Sequence, residues 1–195
     1  MRMPAALVIL ALLAPGLAPA PALARPYVID RDHTTITFWI SHLGFSSFFG
    51  RFRDFDVQID FDPERIEQTR VRAVIRAASI DTDSPTRDGH ARNFPGLLDV
   101  ARFPEIVFES TDVVLTSAVS VRMTGNLTIR DVTRPVELEV RLNARGVTPL
   151  SRGKEVIGLT ATTEIDRTLW GVSFAAPAVS AVIPVRIEAE ILPAD

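Results

Sequence analysis

The histidines, which could bind a metal, are few and widely spaced in this chain. The three histidines are His33, His42 and His90, whereas a metal site usually takes three or four ligands at matched spacing. His33 and His42 are nine positions apart, so on one strand they would face opposite sides. His90 belongs to a separate segment. The spacing therefore indicates structural or surface histidines, and we expect no metal site.

Nucleophilic catalysis has equally little support. A Ser-His-Asp site needs an exposed nucleophile beside its base, yet the serines are scattered and no Gly-x-Ser-x-Gly elbow or glycine-rich phosphate loop occurs. The absence of cysteine excludes disulfides, thiolate metal sites and a lipoprotein anchor. We expect no catalytic residues and no cofactor. An enzyme that modifies a lipid, with His42 or His90 as its general base, is the less favoured alternative.

Aromatic residues are concentrated in one short stretch. Seven of them fall within 18 positions, namely Phe38, Trp39, Phe45, Phe48, Phe49, Phe52 and Phe55. We predict that residues 45–50 form a loop between two strands. Exposed phenylalanines are costly unless they cover an opening or meet a ligand, so two roles stay open: they plug a packed core, or they form part of a binding site.

Four arginines accompany these aromatic residues. Arg51, Arg53, Arg87 and Arg92 could form a cationic rim for an anionic head group. They could equally be solvated charges that pair with nearby aspartates, because exposed ion pairs are common and contribute little.

The elements that must position these residues are β-strands. Apolar and polar residues alternate over residues 36–40, 121–129, 136–142 and 183–191, and more weakly over 52–61, 69–77, 106–115 and 159–165. Alternation gives each strand one dry and one wet face. Turn residues lie at Asp62-Pro63 and between Gly146 and Gly153. Short strands separated by turns predict an all-β sandwich or barrel, and eight strands can enclose one small ligand.

One segment departs from this rhythm. Ser84 can cap a helix that begins at Pro85, and Phe94-Pro95-Gly96 would end it. We therefore predict a short helical insertion around residues 84–93.

The first 24 residues have the pattern of a signal peptide. Arg2 precedes an apolar run over residues 5–14, and Ala22-Leu23-Ala24 matches a signal-peptidase site. The run is too short to span a bilayer, so we expect no transmembrane segment in the mature form. We predict that residues 25–195 form one exported domain, periplasmic in a bacterium with two membranes. The net charge of −3 argues against a nucleic-acid partner, and a homodimer is possible.

An ordered series of short motifs resembles the YceI-like family of exported bacterial proteins, over roughly residues 27–191. The series runs through Tyr27-Val28-Ile29-Asp30, His42-Leu43-Gly44, Gly50-Arg51-Phe52, Arg87-Asp88-Gly89-His90, Leu98-Asp99-Val100, Phe103-Pro104 with Phe108, Gly125-Asn126-Leu127-Thr128-Ile129 and Ile165-Asp166-Arg167 with Gly171. Each motif is weak alone, but their order is specific.

The resemblance implies a lipocalin-like, eight-stranded antiparallel β-barrel with a tunnel for polyisoprenoid chains. The expected function is to bind an isoprenoid quinone or a prenyl phosphate as a carrier or storage protein. Three departures would alter the shape of the tunnel: Leu97-Leu98 replace a common Phe pair, Ala91 replaces Leu, and Trp170 replaces Phe. The alternative is a barrel filled by its own side chains that acts as a protein-interaction or stress-response module.

We predict that a set of aromatic, apolar and cationic residues contacts the ligand. The set is Phe38, His42, Phe45, Phe49, Phe52, Arg87, His90, Arg92, Leu97, Leu98, Phe103, Phe108 and Trp170. Within it, His42, His90, Arg87 and Arg92 are expected at the polar end of the ligand, because they flank the apolar loop and the helical segment.

Overall fold

The computed structural model describes residues 25–194, and the predicted signal peptide lies outside them. The described chain forms eleven strands and one α-helix: β1 (Arg25–Ile29), β2 (Thr35–His42), β3 (Ser46–Phe52), β4 (Phe55–Phe61), β5 (Arg70–Arg76), β6 (Ile80–Asp81), α1 (Pro85–Asn93), β7 (Glu105–Leu115), β8 (Ser120–Ile129), β9 (Val132–Val147), β10 (Glu155–Asp166) and β11 (Val182–Pro193).

These strands form a closed antiparallel barrel with eight strand positions around its wall. Three of these positions are each filled by two short strands that follow one another. β1 and β2 both pair with β11. On the other side, β4 pairs with β1 and β3 with β2, and next to them β5 pairs with β4 and β6 with β3. The other five are β7 to β11, each paired with the next. Pairing of β5 with β7 and of β1 with β11 closes the ring. The predicted eight-stranded barrel is confirmed.

The two ends of the barrel carry different connections. We call the end at which β2 finishes the upper end. It carries the β2–β3 turn, residues 82–104 with α1, the β8–β9 turn at residues 130–131, and residues 167–181. The lower end carries residues 62–69, 116–119 and 148–154. The longest connections, and the only α-helix of the described residues, therefore lie at the upper end.

The predicted helix is also present. The Ser84 hydroxyl accepts a hydrogen bond from the backbone N–H of Arg87 at 3.4 Å, Pro85 occupies the first helical turn, and the helix ends at Asn93. Proline is well tolerated there because the first N–H groups of a helix lack intrahelical partners.

Three local predictions were wrong. Residues 45–50 are not a loop: the turn needs only residues 43–45, with positive φ at Leu43 and Gly44, and β3 begins at Ser46. The alternation was hidden because Phe49 faces outward while Phe48 faces inward. Residues 52–61 are two strands rather than one, and Gly146 lies inside β9 rather than in a turn.

Among residues 25–194, no helix has both the length and the apolar character needed to cross a membrane.

Candidate functional site

The barrel encloses a cavity of about 510 Å³. That volume is within the range of roughly 300–1,000 Å³ that is typical of ligand sites. Its walls are the inward faces of the alternating strands, so the lining is mainly aliphatic and aromatic. Only seven lining residues are polar: Thr34, His42, Thr82, Arg87, His90, Thr163 and Arg167. The barrel is therefore not filled by its own side chains.

Two glycines help to keep the centre open. A Cβ atom on Gly50 would lie 2.3 Å from the ring of Phe38, and one on Gly125 would lie 2.4 Å from the ring of Phe108. Each phenylalanine ring therefore lies against the backbone of a neighbouring strand, where only glycine leaves room. Rings held against the wall occupy less of the space around the barrel axis.

The lower end is closed by packed side chains. Tyr27, Ile157 and Ile191 are 7%, 2% and 2% exposed and form one core cluster. The rings of Tyr27 and Phe61 meet edge to face at a centroid distance of 5.2 Å. Ile191 lines the cavity, whereas Tyr27, Phe61 and Ile157 do not. These residues thus form a floor beneath the cavity.

The cavity opens at the upper end. Four of its lining residues are exposed to solvent, namely His42, Arg87, His90 and Phe174, and we call this group the mouth. His42 ends β2, and Phe174 lies in residues 167–181. Arg87 and His90 are three positions apart on α1, so they share one face of the helix.

Ring contacts tie the mouth together. His90 stacks on Phe94 at a centroid distance of 4.3 Å, and Phe94 meets the ring of Phe174 at 5.6 Å. The guanidinium of Arg87 lies 4.6 Å from the centre of the Phe48 ring and donates to the Thr82 carbonyl at 2.5 Å. Within the described residues, Nη1 of Arg87 has no hydrogen-bond partner. This cation is fixed in place and can still donate to a ligand.

Helix α1 is held on the barrel by polar contacts, of which those of Asp88 are buried. The carboxylate of Asp88, 7% exposed, accepts from the backbone N–H and the hydroxyl of Thr82 at 2.8 and 2.7 Å. The guanidinium of Arg92 donates to the carbonyls of Ala78 and Ile80, both at 2.8 Å. A buried polar group that keeps its hydrogen bonds avoids a desolvation penalty. These contacts therefore set the position of Arg87 and His90.

The adjoining corner of β3 and β6 carries an ion-pair cluster. Asp81 accepts from Arg51 at 3.0 Å and from Arg53 at 2.6 Å. The backbone N–H of Asp83, together with Arg53 and Arg51, lowers the pKa of Asp81 to about 2. The corner that supports α1 is thus strongest while this carboxylate is ionised.

Arg167 holds the other side of the mouth. It is 5% exposed and donates to the carbonyls of Ser180, Val172, Phe174 and Val179 at 2.9, 2.5, 3.1 and 2.8 Å. Burial lowers the pKa of its guanidinium. Because all of these acceptors are backbone carbonyls, Arg167 fixes the segment that carries Phe174.

The structure brings eight of the thirteen predicted ligand contacts to the cavity. They are Phe38, His42, Phe52, Arg87, His90, Leu97, Leu98 and Phe108.

The other five lie elsewhere. Phe45 and Phe49, 90% and 40% exposed, point away from the barrel. The guanidinium of Arg92 is taken up by backbone carbonyls. Phe103 lies under Arg102 and Arg130, and the buried indole of Trp170 donates to the Leu127 carbonyl at 3.0 Å. None of the five lines the cavity.

Sequence reasoning did not include Phe174, Phe48 or Arg167 among the site residues. Residues 167–181 show no regular alternation, so nothing in them marked Phe174 as facing a cavity. Arg167 did carry a usable signal, since it is the only charged residue among those fifteen positions.

A second polar cluster lies outside the barrel. Ligand atoms of Asp30, His33 and Glu190 lie within 4.8 Å of one another. Nδ1 of His33 lies 2.9 Å from a carboxylate oxygen of Asp30, and this contact raises the pKa of His33 and lowers that of Asp30. The histidine and the aspartate therefore already satisfy each other as an ion pair.

Comparison with known proteins gives a consistent picture. The model of the YceI-like domain matches residues 27–191. A UPF0312 protein of Azotobacter vinelandii is 40% identical over 130 residues, which are 66% of this chain and 67% of that protein. A UPF0312 protein of Yersinia pestis is 41% identical over the same shares of both chains.

Solved structures share the barrel. BcnA of Burkholderia cenocepacia superposes with a TM-score of 0.74 at 17% identity, covering 83% of this chain and 98% of its own. The YCEI protein of Campylobacter jejuni gives 0.71 at 26% identity, with 80% and 90% covered. A polyisoprenoid binding domain from Saccharophagus degradans gives 0.61 at 17% identity, with 89% and 100% covered.

Proposed function

This chain belongs to the YceI-like domain family, and on that premise we propose that it binds an isoprenoid lipid, with the tail in the cavity and the polar head group at the mouth. The observation that carries the proposal is the division of the cavity into a long apolar interior and one end where His42, Arg87 and His90 meet solvent.

The interior suits a tail that makes no hydrogen bonds. An isoprenoid chain is almost entirely hydrocarbon, so an apolar wall leaves none of its groups unsatisfied. Each buried methylene contributes about 0.8 kcal/mol before the costs of ordering the ligand. The polyisoprenoid binding domain from Saccharophagus degradans, which shares the fold, supports an isoprenoid over another apolar chain.

The mouth suits a head group that accepts hydrogen bonds. Both a quinone carbonyl and a phosphate accept from arginine and histidine, but only the phosphate also pairs its own negative charge with the guanidinium, which strengthens the bond. Arg87 supplies a fixed cation whose Nη1 group makes no hydrogen bond within residues 25–194. This arrangement favours a prenyl phosphate over a quinone with the same tail.

The role that follows is that of a carrier or storage protein. A chain that shields a lipid from water can move it between a membrane and other proteins. We place this role in the periplasm because residues 1–24 have the signal-peptide pattern.

Two observations favour binding over the alternatives. An open cavity argues against a barrel that serves only as an interaction module. Catalysis on the lipid with His42 or His90 as its general base would also need a partner group that reacts or transfers a proton, and serine, aspartate, glutamate, lysine and tyrosine are all absent from the lining formed by residues 25–194.

Titration of delipidated protein with a prenyl phosphate and an isoprenoid quinone of equal tail length tests the proposal. We expect both lipids to bind. Arg87→Ala should lower the affinity for the prenyl phosphate by about tenfold or more, because a hydrogen bond to a charged group contributes roughly 1.5–3 kcal/mol. The affinity for the quinone should fall by less. Arg122→Ala, which removes an exposed arginine of β8, is the matched control.

Failure of both lipids to bind would overturn the function itself. Equal affinities of the wild type and Arg87→Ala for the prenyl phosphate would overturn only the placement of the head group. Arg92→Ala is less informative, because it also removes the contacts that dock α1.

A further inference from the structure

Large apolar side chains are exposed around the mouth. Phe45 is 90% exposed and Leu43 is 51% exposed at the tip of the β2–β3 hairpin. We use the name upper apolar surface for the set Trp39, Leu43, Phe45, Phe49, Phe94 and Phe174, which are all at least 38% exposed.

The hairpin is apolar on both faces. Phe38, Ile40 and Phe48 point into the barrel and line the cavity, while Trp39 and Phe49 are cross-strand partners that point outward. Beyond Arg51 and Phe52, β3 has no strand partner on its far side among the described residues. The hairpin tip therefore extends past the end of β6, with apolar groups on its solvent side.

The two segments that carry most of this surface also lack exposed formal charge, although Asp83, Arg102 and Asp131 are exposed elsewhere at the upper end. Charged residues make up 23% of the chain, yet residues 39–50 and 167–181 contain only one, Arg167, which is buried. The cation exposed at the mouth itself is Arg87. Such a surface offers little to a partner that is recognised through charge pairs.

We propose that the upper apolar surface inserts into a lipid bilayer with the mouth facing the membrane. Tryptophan is favoured at the level of the lipid head groups, and an apolar face of tryptophan, phenylalanine and leucine that is partly buried in the bilayer holds a peripheral protein there. Arg87 would meet anionic lipid at the same surface. The inference rests on the proposed function for its purpose, since a lipid tail could then enter the cavity without crossing water. The membrane contact itself needs no isoprenoid.

The two tryptophans of the chain allow a direct test. Trp39 is 40% exposed in the upper apolar surface, whereas Trp170 is 3% exposed. In the Trp170→Phe variant the fluorescence comes from Trp39 alone. We expect anionic phosphatidylglycerol vesicles with brominated acyl chains, free of isoprenoids, to quench Trp39. Should Trp170→Phe fail to fold, subtraction of the Trp39→Phe signal from the wild-type signal gives the same information.

A matched pair of substitutions locates the contact. Phe45→Asp and Leu150→Asp each place a charge at a position that is 90% exposed, the first at the upper end and the second at the lower end. We expect Phe45→Asp to weaken vesicle partitioning by about tenfold or more, because it removes a phenyl group that the bilayer would bury and puts a charge in its place. Leu150→Asp should partition as the wild type does.

Three outcomes would overturn the proposal: no quenching of Trp39, equal loss in both variants, or conversion of a dimer to a monomer by Phe45→Asp without vesicles. The last would mean that a second copy covers the surface. A separate assay tests the proposed function by measuring the uptake of a prenyl phosphate from a cyclodextrin complex. Phe45→Asp should retain that uptake, so loss of membrane contact and loss of ligand binding are distinguishable.

Discussion

The upper and lower ends of the barrel are built from the same alternating strands, but they differ in what the inward side chains meet. At the lower end Tyr27, Ile157 and Ile191 pack against one another. At the upper end the inward residues of β2 and β3 face an open cavity beneath α1 and residues 167–181. A single pattern of apolar and polar residues thus supports a closed core and a hollow site.

The difference shows that alternation decides which face is dry, while side-chain size and the end connections decide whether the interior is filled. Bulky residues meet below, whereas above, Phe38 lies against Gly50 and leaves space. Arg92 and Arg167 tie the upper connections to backbone carbonyls instead of filling the barrel. The stability of the floor and the hollowness of the site should therefore respond to different substitutions.

The largest effect on stability should come from the floor. Ile157 is 2% exposed and does not line the cavity, whereas Ile183 lines it. We expect Ile157→Ala to lower the free energy of unfolding by about 2–5 kcal/mol, because it leaves a void in a packed cluster. Ile183→Ala should cost less, since its side chain already borders empty space. Denaturant unfolding of both variants measures the difference, and equal costs would contradict the distinction between the two regions.

The next effect concerns binding rather than stability. Ala161 lines the cavity, so Ala161→Phe should fill part of it. We expect the affinity for a prenyl phosphate to fall by about tenfold or more, because the added ring leaves less room in which the tail can be buried. The free energy of unfolding should change by less than the roughly 1–3 kcal/mol that is typical of overpacking a filled core.

Val113→Phe provides the control for the filled region. Val113 is 2% exposed and lies outside the cavity lining, so added volume there should lower stability by the full cost of overpacking. If Ala161→Phe destabilised the protein as much as Val113→Phe does, the cavity would be closed in solution.

The smallest effect should be a change in acid sensitivity at the upper corner. The pKa of Asp81 lies at about 2 in the folded protein, below the value of about 3.9 for an unfolded chain. Its carboxylate therefore contributes stability that is present above about pH 4 and is lost as the pH falls towards 2. Asp81→Asn should be less stable than the wild type at pH 7 and should lose less stability over that acidic window.

Unfolding at a series of pH values checks this, with Asp112→Asn as the control. Asp112 is exposed on β7 and makes no ion pair among the described residues. An unchanged acid profile in Asp81→Asn would show that the corner does not depend on this carboxylate.

Much of the fold could be predicted from the sequence, because alternation reports the two faces of a strand directly. Residues 183–191 alternate without interruption, and Ile183, Val185, Ile187, Ala189 and Ile191 all line the cavity. The prediction of a loop at residues 45–50 was wrong because phenylalanines lie on both faces of β3. An apolar outer face removes the contrast on which a strand is identified.

The mouth could be predicted only in part. His42, Arg87 and His90 were expected near the polar end, and they lie together there. Arg92 was expected with them, but it is five positions after Arg87, which places it on another face of the helix. Phe174 was missed because its position depends on the hydrogen bonds that Arg167 donates to the carbonyls of its own irregular segment.

Mass spectrometry of lipid extracted from protein purified from a bacterial host tests the central claim most directly. We expect close to one isoprenoid lipid per chain for the wild type and clearly less for Ala161→Phe purified in parallel. A wild-type protein that carries no lipid, and that also fails to take up an added isoprenoid quinone or prenyl phosphate, would contradict it.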